Sequence, residues 1–240
     1  MTITGIRRVL SAGKRDEGGL GLIEFVVAIA LFAVLATMIM MTFTSFGQAL
    51  SKDKVSTANT DIAAVGMNEL TRVIRSATSI PVLNADDLPA FAYAHKEKVI
   101  LYAYIDTNSA APAPVKVQFE VKATTRELVE TRWAAHPKAG NPSYWEFDTT
   151  PQSVRVIARK IVVPTGTQDP MFVYQSIGTD LLPDDMTVPT TGISAANLKL
   201  IAVVKVTVKV QSDPGSRAAP VTITNQVGIP NLGISRLGLS

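Results

Sequence analysis

Hydrophobic and polar positions change rhythm twice along this chain. After a short polar and basic start, residues 20–46 are apolar almost without interruption, and Glu24 is the only charged side chain among them. A run of about 27 residues is long enough to cross a bilayer as a helix. The pattern then becomes one-sided. Val55, Ile62, Leu70, Val73, Ile74 and Ala77 share one broad arc of a helical wheel, with Lys54, Asp61, Asn68, Arg72 and Arg75 opposite. No proline falls between Leu20 and Ile80, and Pro81 supplies a stop. These signals predict one helix of roughly 55 residues, apolar all round at first and amphipathic later. Gly47 and Gly66 are its weak points. Gly66 lies on the apolar arc, which predicts close packing there rather than a hinge.

Beyond Pro81 the period shortens to two. Residues 98–105 (KVILYAYI), 115–121 (VKVQFEV) and 127–133 (ELVETRW) are rich in β-branched and aromatic residues and predict strands. Residues 154–163 and 171–174 read the same way. Residues 198–210 end in KVTVKV, the alternation of a half-exposed antiparallel strand. Asp213-Pro214-Gly215-Ser216 predicts a hairpin turn into a further strand at 221–227. The proline-rich stretches 110–114, 136–142 and 183–189 predict loops. No internal repeat emerges. The expected fold class is α+β, one long helix packed on a mainly antiparallel β-sheet.

Charge refines this picture through its location. The formal net charge is +3, but the first nineteen residues hold four basic and two acidic side chains, against nineteen and eighteen in the remainder. A nearly neutral remainder offers no electrostatic footprint for nucleic acid. Arg7, Arg8, Lys14 and Arg15 instead orient the apolar run, keeping the N-terminus cytoplasmic and the C-terminal part outside. An ordinary secretory signal would be cut after its apolar region, whereas here the small pair Gly18-Gly19 precedes it. The apolar segment is therefore expected to stay in the mature protein. The chain has no cysteine, which excludes a disulfide framework and thiolate metal sites.

A lone acid near the start of a span is costly unless something offsets it. If the chain is cut after Gly19, Leu20 carries the new α-amino charge, and Glu24 stands four residues along the same helical face. A neighbouring chain's terminus would serve equally when helices stack with an axial offset. Gly19-Leu20-Gly21-Leu22-Ile23-Glu24, with the basic leader before it and the apolar helix after it, resembles the processing motif of type IV prepilins and type II secretion pseudopilins. That resemblance implies cleavage after Gly19 by a membrane prepilin peptidase, N-methylation of Leu20, and use of Glu24 in subunit recognition. It divides the chain into a leader 1–19, a transmembrane or filament-core helix 20–46, its amphipathic continuation 47–80, and an extracytoplasmic β-rich domain 81–240. The implied partners are other pilin or pseudopilin subunits, an inner-membrane assembly platform, and membrane lipid before assembly. Four departures stand out, one being that no cysteine is present to close the C-terminal disulfide loop of many major pilins. Leu20 replaces the commoner phenylalanine or methionine, Gly21 replaces a small hydroxyl residue, and Met41 stands where many major pilins carry a proline. Over residues 90–232 the pattern is similar to the larger J- or W-type minor pilins and pseudopilins, which implies a pilin-like fold and a place near the filament tip.

Other constellations carry less. His95 and His136 lie far apart in loop-like contexts with no identifiable orienting partner. Asp180, Asp184 and Asp185 lack the spacing of a calcium loop. Trp133, Tyr144 and Trp145 flank the stretch 136–142, either as an aromatic platform or as edge-of-core packing. No catalytic or dinucleotide motif is found, so neither an enzymatic activity nor a cofactor is expected. The alternatives are a pilin-anchored adhesin or DNA-binding module and, more remotely, a membrane-anchored enzyme. Type IV pilus, type II secretion and DNA-uptake systems all fit the motif.

Overall fold

A computed structural model describes residues 21–105, 112–164, 170–176, 192–213 and 219–230. Leucine, alanine and methionine, with no proline among them, carry α1 from Leu22 to Arg75 without a break, through both Gly47 and Gly66. The chain divides into two units, residues 1–51 and 52–240. In the first unit the described residues 22–51 are helix, exposed along their whole length. Thr37, Thr42 and Thr44 turn their hydroxyls back to the carbonyls of Ala33, Met38 and Met40. Their hydrogen bonds are thus met inside the helix, as an apolar surrounding demands.

The second unit begins with the amphipathic turns of α1. Asn59, Ala63, Gly66, Met67, Leu70, Val73 and Ile74 are buried there. The helix ends at Arg75, short of the expected stop at Pro81. Ser76 and Ala77 tighten onto the carbonyls three residues back, and Thr78 N–H then donates to Tyr102 O at 2.9 Å. Backbone pairing to a strand outcompetes further helical turns in this segment.

Among the described residues ten strands follow, all paired antiparallel. β1 (Phe91–Ala94), β2 (Lys98–Ala103), β3 (Val115–Lys122), β4 (Glu127–Trp133) and β7 (Ser153–Ala158) form a sheet in the order β1-β2-β3-β4-β7. β5 (Ala135–Lys138) and β6 (Asn141–Phe147) form a separate ribbon, and β8 (Phe172–Ser176), β9 (Ile201–Val210) and β10 (Val221–Gly228) a third sheet with β9 central. A short α2 (Ala195–Leu198) precedes β9. Alternation sets which faces meet. Val99, Leu101, Val117 and Phe119 of the first sheet and Val204, Val206, Val208 and Val210 of the third point into one core with α1.

Arg126 joins the two larger sheets. Its backbone is left-handed (φ 55°), and its guanidinium donates to the carbonyls of Ile161, Lys160 and Gln211. Ile161 also bridges to Val210. Gly66 behaves as its place on the arc predicts: a Cβ there would lie 2.9 Å from Ala158 Cβ.

Several sequence expectations change. The stretch 136–142 is not a loop: it is the β5–β6 hairpin, turning at Gly140 (φ 77°). Two-stranded ribbons tolerate Pro137 and Pro142 because each strand has a free edge. The strand expected over 154–163 stops at Ala158, since Lys160 turns left-handed (φ 61°). β9 starts at Ile201, because Leu198 belongs to α2. β1 has no counterpart among the expected strands. The turn at 214–216 and the loop 183–189 lie outside the described residues.

Candidate functional site

Gly19 and Leu20, the expected processing and methylation positions, lie outside the described residues. The helix begins two residues later, and Glu24 stands in its first turn. Gly21 N–H donates to Glu24 Oε2 at 3.1 Å, while Glu24 N–H donates to Gly21 O at 2.9 Å. The carboxylate therefore reaches back to an amide that the helix itself cannot satisfy, as the acidic member of a capping box does. It also faces the positive end of the helix dipole. Sequence reasoning assigned that position to an α-amino group. A local backbone partner was overlooked, although an acid three residues after a helix start signals it.

A second charged centre lies on the amphipathic turns of α1. Glu69 accepts from Arg72 at 2.7 Å and from Arg132 of β4 at 2.9 Å, and it pairs with Arg155 of β7 as well. Glu130, whose side chain is fully buried, holds Arg132 and binds Arg155 at 2.6 Å. Two carboxylates thus share three guanidiniums between the helix and two neighbouring strands. Burial pushes the Glu69 carboxyl up, but the hydrogen bond and charge of Arg72, with the charges of Arg155 and Arg132, outweigh it and hold the group below its usual range. The hydrogen bond from Arg72 to Glu69 likewise raises the guanidinium's pKa against its desolvation. Only the Glu69–Arg72 spacing was visible in sequence.

Beside this network α1 and β7 leave a groove of 520 Å³ lined by Asp61, Ile62, Val65 and residues 156–160. Its apolar walls are Ile62 and Val65 on the helix and Val156 and Ile157 on the strand.

The remaining expected candidates are not brought together. His95 lies in the connection between β1 and β2, a loop context as expected, but it is buried there, and its carbonyl accepts from the Tyr174 hydroxyl at 3.0 Å. Desolvation, helped by the charge of Lys96 and opposed by Glu97, lowers its pKa and favours the neutral imidazole. His136 has the orienting partner that sequence did not reveal: its Nε2 lies 2.7 Å from Asp148 Oδ1 on an exposed part of the hairpin. Trp133 packs under Lys116, whose Nζ is 4.5 Å from the ring centroid, and Phe147 packs on Tyr102 with centroids 4.8 Å apart. Tyr144 and Trp145 are half-buried. Asp180, Asp184 and Asp185 lie outside the described residues. No group of three metal-ligating side chains occurs among the described ones.

Neither models of known protein families nor curated proteins match this chain.

Proposed function

We propose that this chain is a minor type IV pilin or pseudopilin with a pilin-like fold, a structural subunit rather than an enzyme. A prepilin peptidase cuts after Gly19, Leu20 is N-methylated, and residues 20–46 hold the protein in the cell membrane with its β-rich part outside. An inner-membrane platform then assembles it with other pilin or pseudopilin subunits, at or near the filament tip. The observation that carries this reading is the first unit of α1. It is an unbroken apolar helix, long enough to cross a membrane, with a single acid in its first turn directly after the Gly19-Leu20 pair. Lipid covers such a surface before assembly and other apolar helices cover it afterwards, so burial is kept during extraction.

Intact mass and N-terminal sequencing of the mature protein test it. The expected N-terminus is methylated Leu20, and Gly19→Arg is expected to leave the full chain uncut in the membrane fraction. A mature N-terminus at any other residue sinks the reading.

A further inference from the structure

The two larger sheets present four outer strands among the described residues, β1, β7, β8 and β10. Three of them are guarded. β1 has four residues and β8 five, and the pairing of β1, β7 and β8 with their neighbours slips in each case. Short length and bulges are common ways of closing an edge to a further strand. β10 has neither. Its eight residues pair with β9 in unbroken register from Val221 to Gly228, and VTITNQVG contains no charge and no proline.

Alternation decides which amides face outward. Ile229 N–H donates to Ala202 O, so the odd-numbered residues of β10 exchange their backbone bonds with β9. The N–H and C=O groups of Thr222, Thr224 and Gln226 therefore point out of the free edge, and they have no partner among the described residues. These three side chains are exposed on the face away from α1. On the opposite face Val221 and Ile223 are half-buried at the rim of the core, where a further strand would cover them.

The outward face selects among strands by charge. Lys209 and Lys205 of β9 stand beside Thr222 and Gln226, and neither lysine has an ion-pair partner among the described residues. β8, β9 and β10 contain no acidic residue. Thr222 is short, and Gln226 is drawn back over the sheet by its bond to Gln175 Oε1 at 2.6 Å. Both lysine stems are thus free to lie across β10 toward its open edge.

We propose that the free edge of β10 is a strand-addition site for an extended segment of a partner protein, apolar on the side facing the core and acidic on the outward side. Main-chain bonds to Thr222, Thr224 and Gln226 supply affinity, and the two lysines select the acidic side chains. The same edge of a second copy does not fit, since it brings two further lysines and no acid. The site lies within the β-rich unit and goes beyond the pilin reading, because it does not depend on how the N-terminus is processed.

The probe is a labelled short peptide alternating valine and glutamate, titrated by fluorescence anisotropy into the full-length chain in detergent. Saturable binding is expected, at least tenfold tighter than for the matching valine–lysine peptide. Lys205→Glu with Lys209→Glu should reverse that preference. Methylating the peptide amides that face the edge should weaken binding at least tenfold. Thr224→Pro should do the same, since it removes one outward N–H and leaves the β9 ladder intact, as a thermal melt matching the parent's would verify. No binding to the parent chain, or binding indifferent to amide methylation, overturns the strand addition. Equal binding of the acidic and basic peptides overturns the stated partner chemistry. Self-association that the peptide does not displace gives the edge to a second copy and overturns the proposal as well. The N-terminal mass that tests the pilin reading is measured on the same preparation, so either reading can fail alone.

Discussion

Glu24 and Gly66 show how much a single position on α1 can decide. In the isolated chain the Glu24 carboxylate serves its own helix start through the Gly21 amide. Losing that contact costs about 1 kcal/mol, and α1 is long enough to survive it. In a filament the same carboxylate would lie among apolar helices, where a charge-assisted partner is worth roughly 1.5–3 kcal/mol. Glu24→Ala is therefore expected to leave cleavage after Gly19 intact and to reduce incorporation about tenfold or more. Immunoblots of sheared filaments against whole cells measure this, and unchanged incorporation would remove Glu24 from assembly. Gly66 belongs to packing rather than assembly. Its missing Cβ admits Ala158 Cβ, which sits on a strand and has no flexible end to move aside. Gly66→Val is expected to destabilise the β-rich unit by about 1–3 kcal/mol through overpacking, read by urea denaturation.

At the scale of elements, α1 is fixed to the first sheet by both apolar contact and charge. The Glu69 network gives that attachment a pH dependence whose sign follows from its arginines. The folded carboxyl titrates below its unfolded value. Its contribution is fully present above the unfolded carboxylate pKa and fades as pH falls through the lowered folded one. Thermal melts from neutral to acid pH should therefore lose stability in and below the ordinary carboxylate range. Glu69→Gln should flatten that limb and cost about 1–2 kcal/mol at neutral pH, a modest figure because Arg72 and Arg155 are half-exposed. A Glu69→Gln protein with the parent's acid profile would show that the network does not hold the helix. The third sheet and the turn after β9 grip the same helix by neutral bonds, Asn225 Nδ2 of β10 to Thr71 Oγ1 at 3.1 Å and Ser212 Oγ to Asn59 Oδ1.

The whole molecule was legible in sequence wherever a pattern ran long enough to repeat. The helix announced itself through many turns of apolar and then one-sided residues, and the alternation in KVTVKV forecast the inward valines of β9. Short elements escaped. β1 is only four residues, FAYA, with no alternation to count, and the prolines of the β5–β6 ribbon read as loop because a free strand edge leaves no mark in sequence. The charged centre escaped for another reason. Arg132 and Arg155 stand 63 and 86 positions from Glu69, and only the folded sheet brings them together. The Gly19–Glu24 motif is a matter of order and spacing alone, and of its residues the fold bears on Glu24 through the bond from the Gly21 amide.

The hold on the amphipathic turns of α1 has a mechanical meaning. A helix with no joint passes tension along its hydrogen-bonded axis, with no slack to take up. Tension on these turns would load Asn59, Glu69 and Thr71 together, at points held from the two larger sheets or their flanks. The load is therefore shared between two sheets instead of falling on one.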